Sequence, residues 1–88
     1  MNVEFRNSFA RDLRRIRDRA LLSRVQQVIE QIERAEEFGT IGNVKKLKGS
    51  EDYYRIRVGN YRVGIIVANE TVIFVRFLHR RDVYRYFP

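Results

Sequence analysis

From residue 53 onward, apolar and charged positions alternate with a period of two, the signature of strands with one face buried. The stretch YRIRVGNYRVGIIV, Tyr54 to Val67, breaks once, at Gly59-Asn60. A two-residue turn with glycine first suits a type II′ hairpin. It pairs Val58 with Tyr61, Arg57 with Arg62, Ile56 with Val63 and Arg55 with Gly64. Ile56, Val58, Val63, Ile65 and Val67 then share one face, and Arg55, Arg57 and Arg62 share the other.

Three strands are expected, at Tyr53–Val58, Tyr61–Ala68 and Val72–His79. The second turn decides where Arg76 points. A two-residue Asn69-Glu70 loop would place Arg76 on the core face opposite Val63. Burying an unpaired guanidinium is strongly unfavourable. A three-residue loop, Asn69-Glu70-Thr71, avoids this. It sets Ile73, Val75 and Phe77 against the core, opposite Val67, Ile65 and Val63, and puts Arg76 opposite Gly64. A slip of one residue would exchange the two faces. Gly64 becomes a bare floor that a ligand backbone can approach.

The N-terminal half has a helical period instead. Phe9, Leu13 and Ile16 recur at four- and three-residue steps, so a helix runs from about Phe9 to Arg17, capped by Asn7 or Ser8. Leu21, Leu22, Val25, Val28, Ile29, Ile32 and Ala35 form the stripe of a longer helix, Leu21 to Phe38, with Gly39 as its C-terminal cap. The short connector at Asp18–Ala20 implies an antiparallel helical hairpin. Val3–Phe5 reads as a short first strand. Thr40–Asp52 is a link in which Val44–Leu47 is partly ordered. The expected fold is α+β: an N-terminal strand, the helical hairpin, then a three-stranded antiparallel meander with the helices on one sheet face. Residues 1–88 make one domain.

Charge sharpens this picture. The net charge is +7. Residues 1–44 hold eight basic and seven acidic residues, a balance of +1, whereas residues 45–88 hold ten and four, a balance of +6. No acidic residue occurs within Tyr53–Asn69. Adjacent arginines on a sheet repel each other. A solvated strand face carries polar groups as a matter of course, but a face of one sign points to an anion, and nucleic-acid phosphate is the leading candidate. The chain has no cysteine and one histidine, His79, so no metal or other cofactor is expected. It shows neither a signal-peptide pattern nor a membrane-length apolar run, and a cytoplasmic protein with no membrane partner is the expectation.

Three segments carry a family resemblance: Lys46-Leu47-Lys48-Gly49, YRIRVGNYRV and VRFLHRRDVYRY. Together with the order of elements, they resemble the RelE/ParE family of toxins from bacterial and archaeal type II toxin–antitoxin pairs. The resemblance covers nearly the whole chain. It implies the family's fold, a cognate antitoxin and one of two activities. RelE-like members are ribosome-dependent endoribonucleases that cut messenger RNA in the decoding site. ParE-like members inhibit DNA gyrase. In the RelE-like branch the site residues fall here on Arg55, Arg57, Arg62, Arg80 and Tyr84. The first-strand positions often hold lysine in that branch, and this chain has arginine. Its short tail leaves Tyr84 and Tyr86 as alternatives for the tyrosine.

Metal-free RNA cleavage needs a base for the attacking 2′-hydroxyl, cations for the phosphorane, and stabilisation of the 5′-oxygen leaving group. Tyr84 is the leading base. Nearby guanidiniums would lower its pKa from about 10. Arg57 and Arg62 suit the scissile phosphate, and Arg80 suits the leaving oxygen. Lys48, Arg55, Arg76, Arg81 and Tyr86 are expected to hold RNA, with Tyr53, Tyr54 or Tyr86 stacking on a base. His79 reads first as a half-buried histidine beside Tyr61 with a backbone partner, then as an acid or base, and last as a metal ligand. Phe87 reads first as a pin holding the tail to the sheet. A gyrase inhibitor and a non-catalytic nucleic-acid-binding domain remain the alternatives to a nuclease.

Overall fold

The computed structural model describes residues 1–49 and 52–88. Residues 50 and 51, inside the expected Thr40–Asp52 link, lie outside the described residues. Strand β1 (Asn2–Phe5) leads into helix α1 (Asn7–Arg14) and helix α2 (Arg19–Arg34). A short 3₁₀ turn at Phe38–Thr40 precedes β2 (Val44–Lys46), β3 (Tyr53–Val58), β4 (Tyr61–Ala68) and β5 (Thr71–His79), and a helical turn, α3 (Val83–Tyr86), closes the chain. The strands form one sheet in the order β1-β5-β4-β3-β2. The expected meander is its centre, and a strand has been added at each edge. β1 runs parallel to β5, and β2 runs antiparallel to β3.

The apolar alternation of β3 and β4 is used as expected. Ile56, Val58, Val63 and Ile65 are buried against Phe9 of α1 and Leu21, Val25 and Ile32 of α2. The Gly59-Asn60 turn pairs Val58 with Tyr61 and Arg57 with Arg62. Gly59 has a φ of +59°, which a type II′ turn demands at its first central residue.

The β4–β5 connection differs from expectation. Ala68 pairs with Thr71, so the loop is the two-residue Asn69-Glu70, with Asn69 at a φ of +58°. Asparagine tolerates this left-handed conformation better than most residues. Ile65 then pairs with Phe74, whereas Gly64 pairs with Arg76, and Val75 is the extra residue of a β-bulge. Val72 and Phe74 are therefore the buried residues, while Ile73 and Val75 are only half-buried. This corrects the expected core placement of Ile73 and Val75. The bulge reverses the parity, so Arg76 still meets Gly64 and Phe77 still meets Val63.

The helices also start and stop differently. Arg6, not Asn7 or Ser8, occupies the N-cap position of α1, and it makes no side-chain cap. Ser8 instead donates its hydroxyl proton to the carbonyl of Val75 at the bulge. One turn on, Asp12 accepts the Phe77 backbone N–H at 2.9 Å. α1 thus satisfies the stretch of the β5 edge that β1 leaves uncovered. Asp18 caps α2 by accepting the Leu21 N–H at 3.1 Å. α2 ends at Arg34 because Ala35 is extended (φ −72°, ψ 140°), so Gly39 does not cap it.

Candidate functional site

Two rows of side chains cross the sheet on the face turned away from α1 and α2. In one, Lys45 pairs with Arg55, Arg55 with Gly64, and Gly64 with Arg76. In the other, the Arg57 N–H donates to the Asn43 carbonyl at 2.9 Å, Arg57 pairs with Arg62, and Arg62 pairs with Leu78. Alternation within β3 and β4 puts Arg55, Arg57 and Arg62 side by side. Between these strands, β2 and the tail lies an open cleft of about 370 Å³, lined by Asn43, Val44, Lys45, Arg55, Arg57, Arg62 and Tyr84. No carboxylate is among these lining residues.

A second hollow of about 410 Å³ continues the cleft and shares Lys45, Arg55 and Tyr84 with it. Lys46, Leu47, Lys48, Phe87 and Pro88 complete its lining. Lys48 therefore stands beside the arginine cluster. Asn43 and Lys45 were not singled out in the sequence. Their signal was available, because a strand pairing at Val44–Leu47 brings Lys45 opposite Arg55.

Tyr84 stands over Arg55, whose guanidinium carbon lies 4.3 Å from the phenol ring centroid. Arg55 is only 9 % exposed, whereas Tyr84 is 75 % exposed. The Arg55 hydrogen bond and positive charge hold the Tyr84 hydroxyl below the ordinary tyrosine value, and Lys45 and Arg62 act in the same direction. Arg62 is also perturbed. Burial lowers its pKa first, and the like charges of Arg57 and Arg80 add to the effect, while Tyr84 opposes it. Arg80 thus lies within electrostatic reach of the cluster, anchored by its backbone N–H on the Asn60 carbonyl at 2.8 Å. Arg62 is aimed by donating from Nη1 to the carbonyls of Gly59 and Tyr61, at 3.1 and 2.8 Å.

The remaining residues singled out from the sequence lie off this cluster. Arg76 donates its Nε to Asp12 at 2.7 Å, so its charge is paired within the chain, and its guanidinium carbon sits 5.9 Å from the Tyr86 ring centroid. Arg81 is exposed beyond β5 and turns its Nε to His79 Nδ1 at 3.3 Å. His79 is half-buried, edge-on to Tyr61 at 5.3 Å, and accepts the Arg81 backbone N–H. Tyr86 is half-exposed and does not line the cleft. Of Tyr84, Tyr86 and His79, only Tyr84 lines it. Gly64 is not an open floor. The ring of Phe87 lies on it, and Phe87 is 4 % exposed. Among the described residues, no group of three His, Cys, Asp or Glu side chains is placed to hold a metal ion. Among the same residues, no helix is long and apolar enough to cross a membrane.

The family model of the ParE toxin of type II toxin–antitoxin systems matches residues 3–84. The chain belongs to the RelE/ParE superfamily of type II toxins. Within the superfamily it is 42 % identical over 89 residues to Toxin RelE3 of Methanocaldococcus jannaschii, with 100 % of both chains covered. Its fold matches a chain of the RelB–RelE antitoxin–toxin complex from Methanococcus jannaschii, with a TM-score of 0.82, 40 % identity, and 97 % and 99 % of the two chains covered. It also matches the archaeal RelE–RelB complex from Pyrococcus horikoshii in fold, with a TM-score of 0.73, 23 % identity, and 90 % and 93 % covered. The short-strand, two-helix, meander and tail order of this chain is thus that of RelE toxin structures.

Proposed function

We propose that this RelE/ParE toxin is an endoribonuclease that cleaves messenger RNA on the ribosome by attack of a 2′-hydroxyl on the neighbouring phosphorus. The observation that carries this reading is the placement of Tyr84, with its lowered pKa, against Arg55 in a cleft that also holds Arg57 and Arg62. Whole-chain likeness to RelE toxins supports the nuclease branch. A gyrase inhibitor, the alternative attached to the ParE name, has no evident need of an activated phenol beside three guanidiniums.

The reaction follows from the charges. The Tyr84 phenolate takes the proton of the 2′-hydroxyl, and the O2′ electron pair forms a bond to phosphorus. Negative charge then grows on the non-bridging oxygens. Arg57 and Arg62 face those oxygens and relieve their own mutual repulsion by doing so. The P–O5′ bond breaks, leaving a 2′,3′-cyclic phosphate on one fragment. The 5′-oxygen leaves with a hydrogen bond from Arg80 and takes a proton from solvent, because a guanidinium rarely gives one up. No metal takes part. Lys45, Lys48 and Arg55 hold the flanking backbone.

The two archaeal RelE structures named above are complexes with RelB, and a cognate antitoxin is proposed as the partner of this chain. A cytoplasmic location follows from its proposed substrate. The test is a translating extract to which the protein is added, with messenger RNA ends mapped by primer extension. Ribosome-dependent cuts inside codons are expected. Intact messenger RNA together with trapped gyrase–DNA cleavage complexes would overturn the nuclease reading in favour of gyrase inhibition.

A further inference from the structure

α3 has four residues, far below the roughly 12–15 that an isolated helix needs to be even marginally stable in water. Something else must hold Tyr84 in place. Val83 and Phe87 are one turn apart and both buried, and the Phe87 N–H closes the turn on the Val83 carbonyl at 2.9 Å. Neither belongs to the core beneath the helices. Phe87 fastens the tail to the opposite sheet face, over Gly64, where it also meets the Tyr53 ring at 5.7 Å. Tyr84, next to Val83, projects out to Arg55.

Gly64 lies under this fastening. A Cβ built there would come within 2.7–2.8 Å of Cγ, Cδ1 and Cδ2 of Phe87. Three ring atoms at nearly equal distance mean that the glycine Cα faces the flat of the ring. Only Gly49 and Gly59 among the glycines have positive φ, so Gly64 has ordinary strand geometry that any residue can adopt. Glycine in a strand interior is unfavourable relative to alanine. Its use here is explained by the space it leaves.

We infer that Gly64 and Phe87 are positioning residues for Tyr84: the bare strand at Gly64 seats the Phe87 ring, and that contact fixes the helical turn that carries Tyr84 to Arg55. The catalytic consequence rests on the reading of Tyr84 as the base, but the positioning does not. A rival account makes Gly64 the floor for a ligand backbone. In that case a methyl group there blocks RNA and leaves Tyr84 untouched.

Titration of ¹³Cζ-labelled tyrosine by NMR separates these accounts without RNA, with Tyr84→Phe used to assign the Tyr84 signal. In the parent, Tyr84 titrates below the ordinary value of about 10. Gly64→Ala and Phe87→Ala each move its midpoint up toward that value, and the double variant moves it no further than either single one. Phe87→Ala leaves the core under the helices intact, so it decides the matter if Gly64→Ala fails to fold. An unchanged Tyr84 midpoint in Phe87→Ala overturns the inference, as do additive shifts in the double variant. For cleavage, both substitutions are expected to lower kcat at least tenfold and to change ribosome binding less than threefold. Undiminished cleavage by Tyr84→Phe would remove Tyr84 from catalysis, while the titration result would still stand.

Discussion

The carboxylate of Asp12 receives the Nε of Arg76 at 2.7 Å and its Nη2 at 3.2 Å. The same carboxylate accepts the Phe77 N–H at 2.9 Å, and Asp12 is only 4 % exposed. One buried acid thus ties α1 to β5 just past the bulge and neutralises an arginine that shares a row with Arg55. Asp12 is the buried member of the pair, because the Arg76 side chain keeps 21 % of its exposure, and leaving a buried charge without its partner costs about 3 kcal/mol or more. Asp12→Ala is expected to lower stability by about 1–3 kcal/mol in chemical denaturation, because it orphans the buried Phe77 N–H. Arg76→Gln should also destabilise, yet leave cleavage per folded molecule within about threefold. A large loss of cleavage in folded Arg76→Gln would return Arg76 to the RNA site.

Arg62 is held by two carbonyls and feels the like charges of Arg57 and Arg80. Loss of one electrostatic donor from a site of this kind typically lowers kcat by about 10²–10³-fold. Arg62→Ala is expected to lose at least that much cleavage, and with it toxicity, while its circular dichroism spectrum and Tm stay near those of the parent. Toxicity equal to the parent would remove Arg62 from the site.

The lowered pKa of Tyr84 sets a pH dependence. An acid whose pKa is depressed by folding is ionised where the unfolded chain is still protonated. Its contribution to stability is full above the unfolded value and disappears as pH falls through the lower, folded one. Cleavage should follow the same ionisation, rising with pH and levelling off below about 10. Arg55 is the main cause of the depression, so Arg55→Gln should move that limb toward higher pH. A limb that does not move in Arg55→Gln contradicts the assignment of Tyr84 as the titrating base.

Salt separates backbone contacts from the chemistry. Binding of single-stranded RNA weakens with salt, with a slope of about −0.7 in log–log units per neutralised phosphate. Arg57 is exposed in the cleft. Arg57→Ala should therefore make the slope shallower by about 0.7, as read from binding of a short oligonucleotide between 50 and 200 mM salt, concentrations at which such losses are large. An unchanged slope would mean that Arg57 meets no phosphate.

Much of the site was legible because strand alternation is a local property. Once Gly59-Asn60 was read as a two-residue turn, the Arg57–Arg62 and Arg55–Gly64 pairs followed. The β4–β5 register was harder. Val72, Ile73, Phe74 and Val75 are all apolar, so parity is silent in that stretch, and a longer loop or a bulge delivers Arg76 to Gly64 equally well. The structure uses the bulge, and α1 supplies Ser8 and Asp12 to the groups around it. The Asp12–Arg76 pair was invisible for a different reason. It joins residues 64 positions apart, and no local periodicity marks a carboxylate on a basic helix as the partner of a distant strand arginine. Phe87 does pin the tail, and it does so on Gly64, but nothing in the string YRVGIIV says which aromatic ring comes down on that glycine.

In the proposed reaction, Tyr84 and the arginine cluster direct a ribose hydroxyl at phosphorus. The most direct measurement is cleavage of a ribosome-bound messenger RNA carrying a single 2′-deoxy substitution at the position mapped as the cut site. The all-ribose message is expected to be cut to leave a 2′,3′-cyclic phosphate, detectable by mass spectrometry, and the substituted message to survive at that position. Cutting of the deoxy position at the same rate would contradict that reaction.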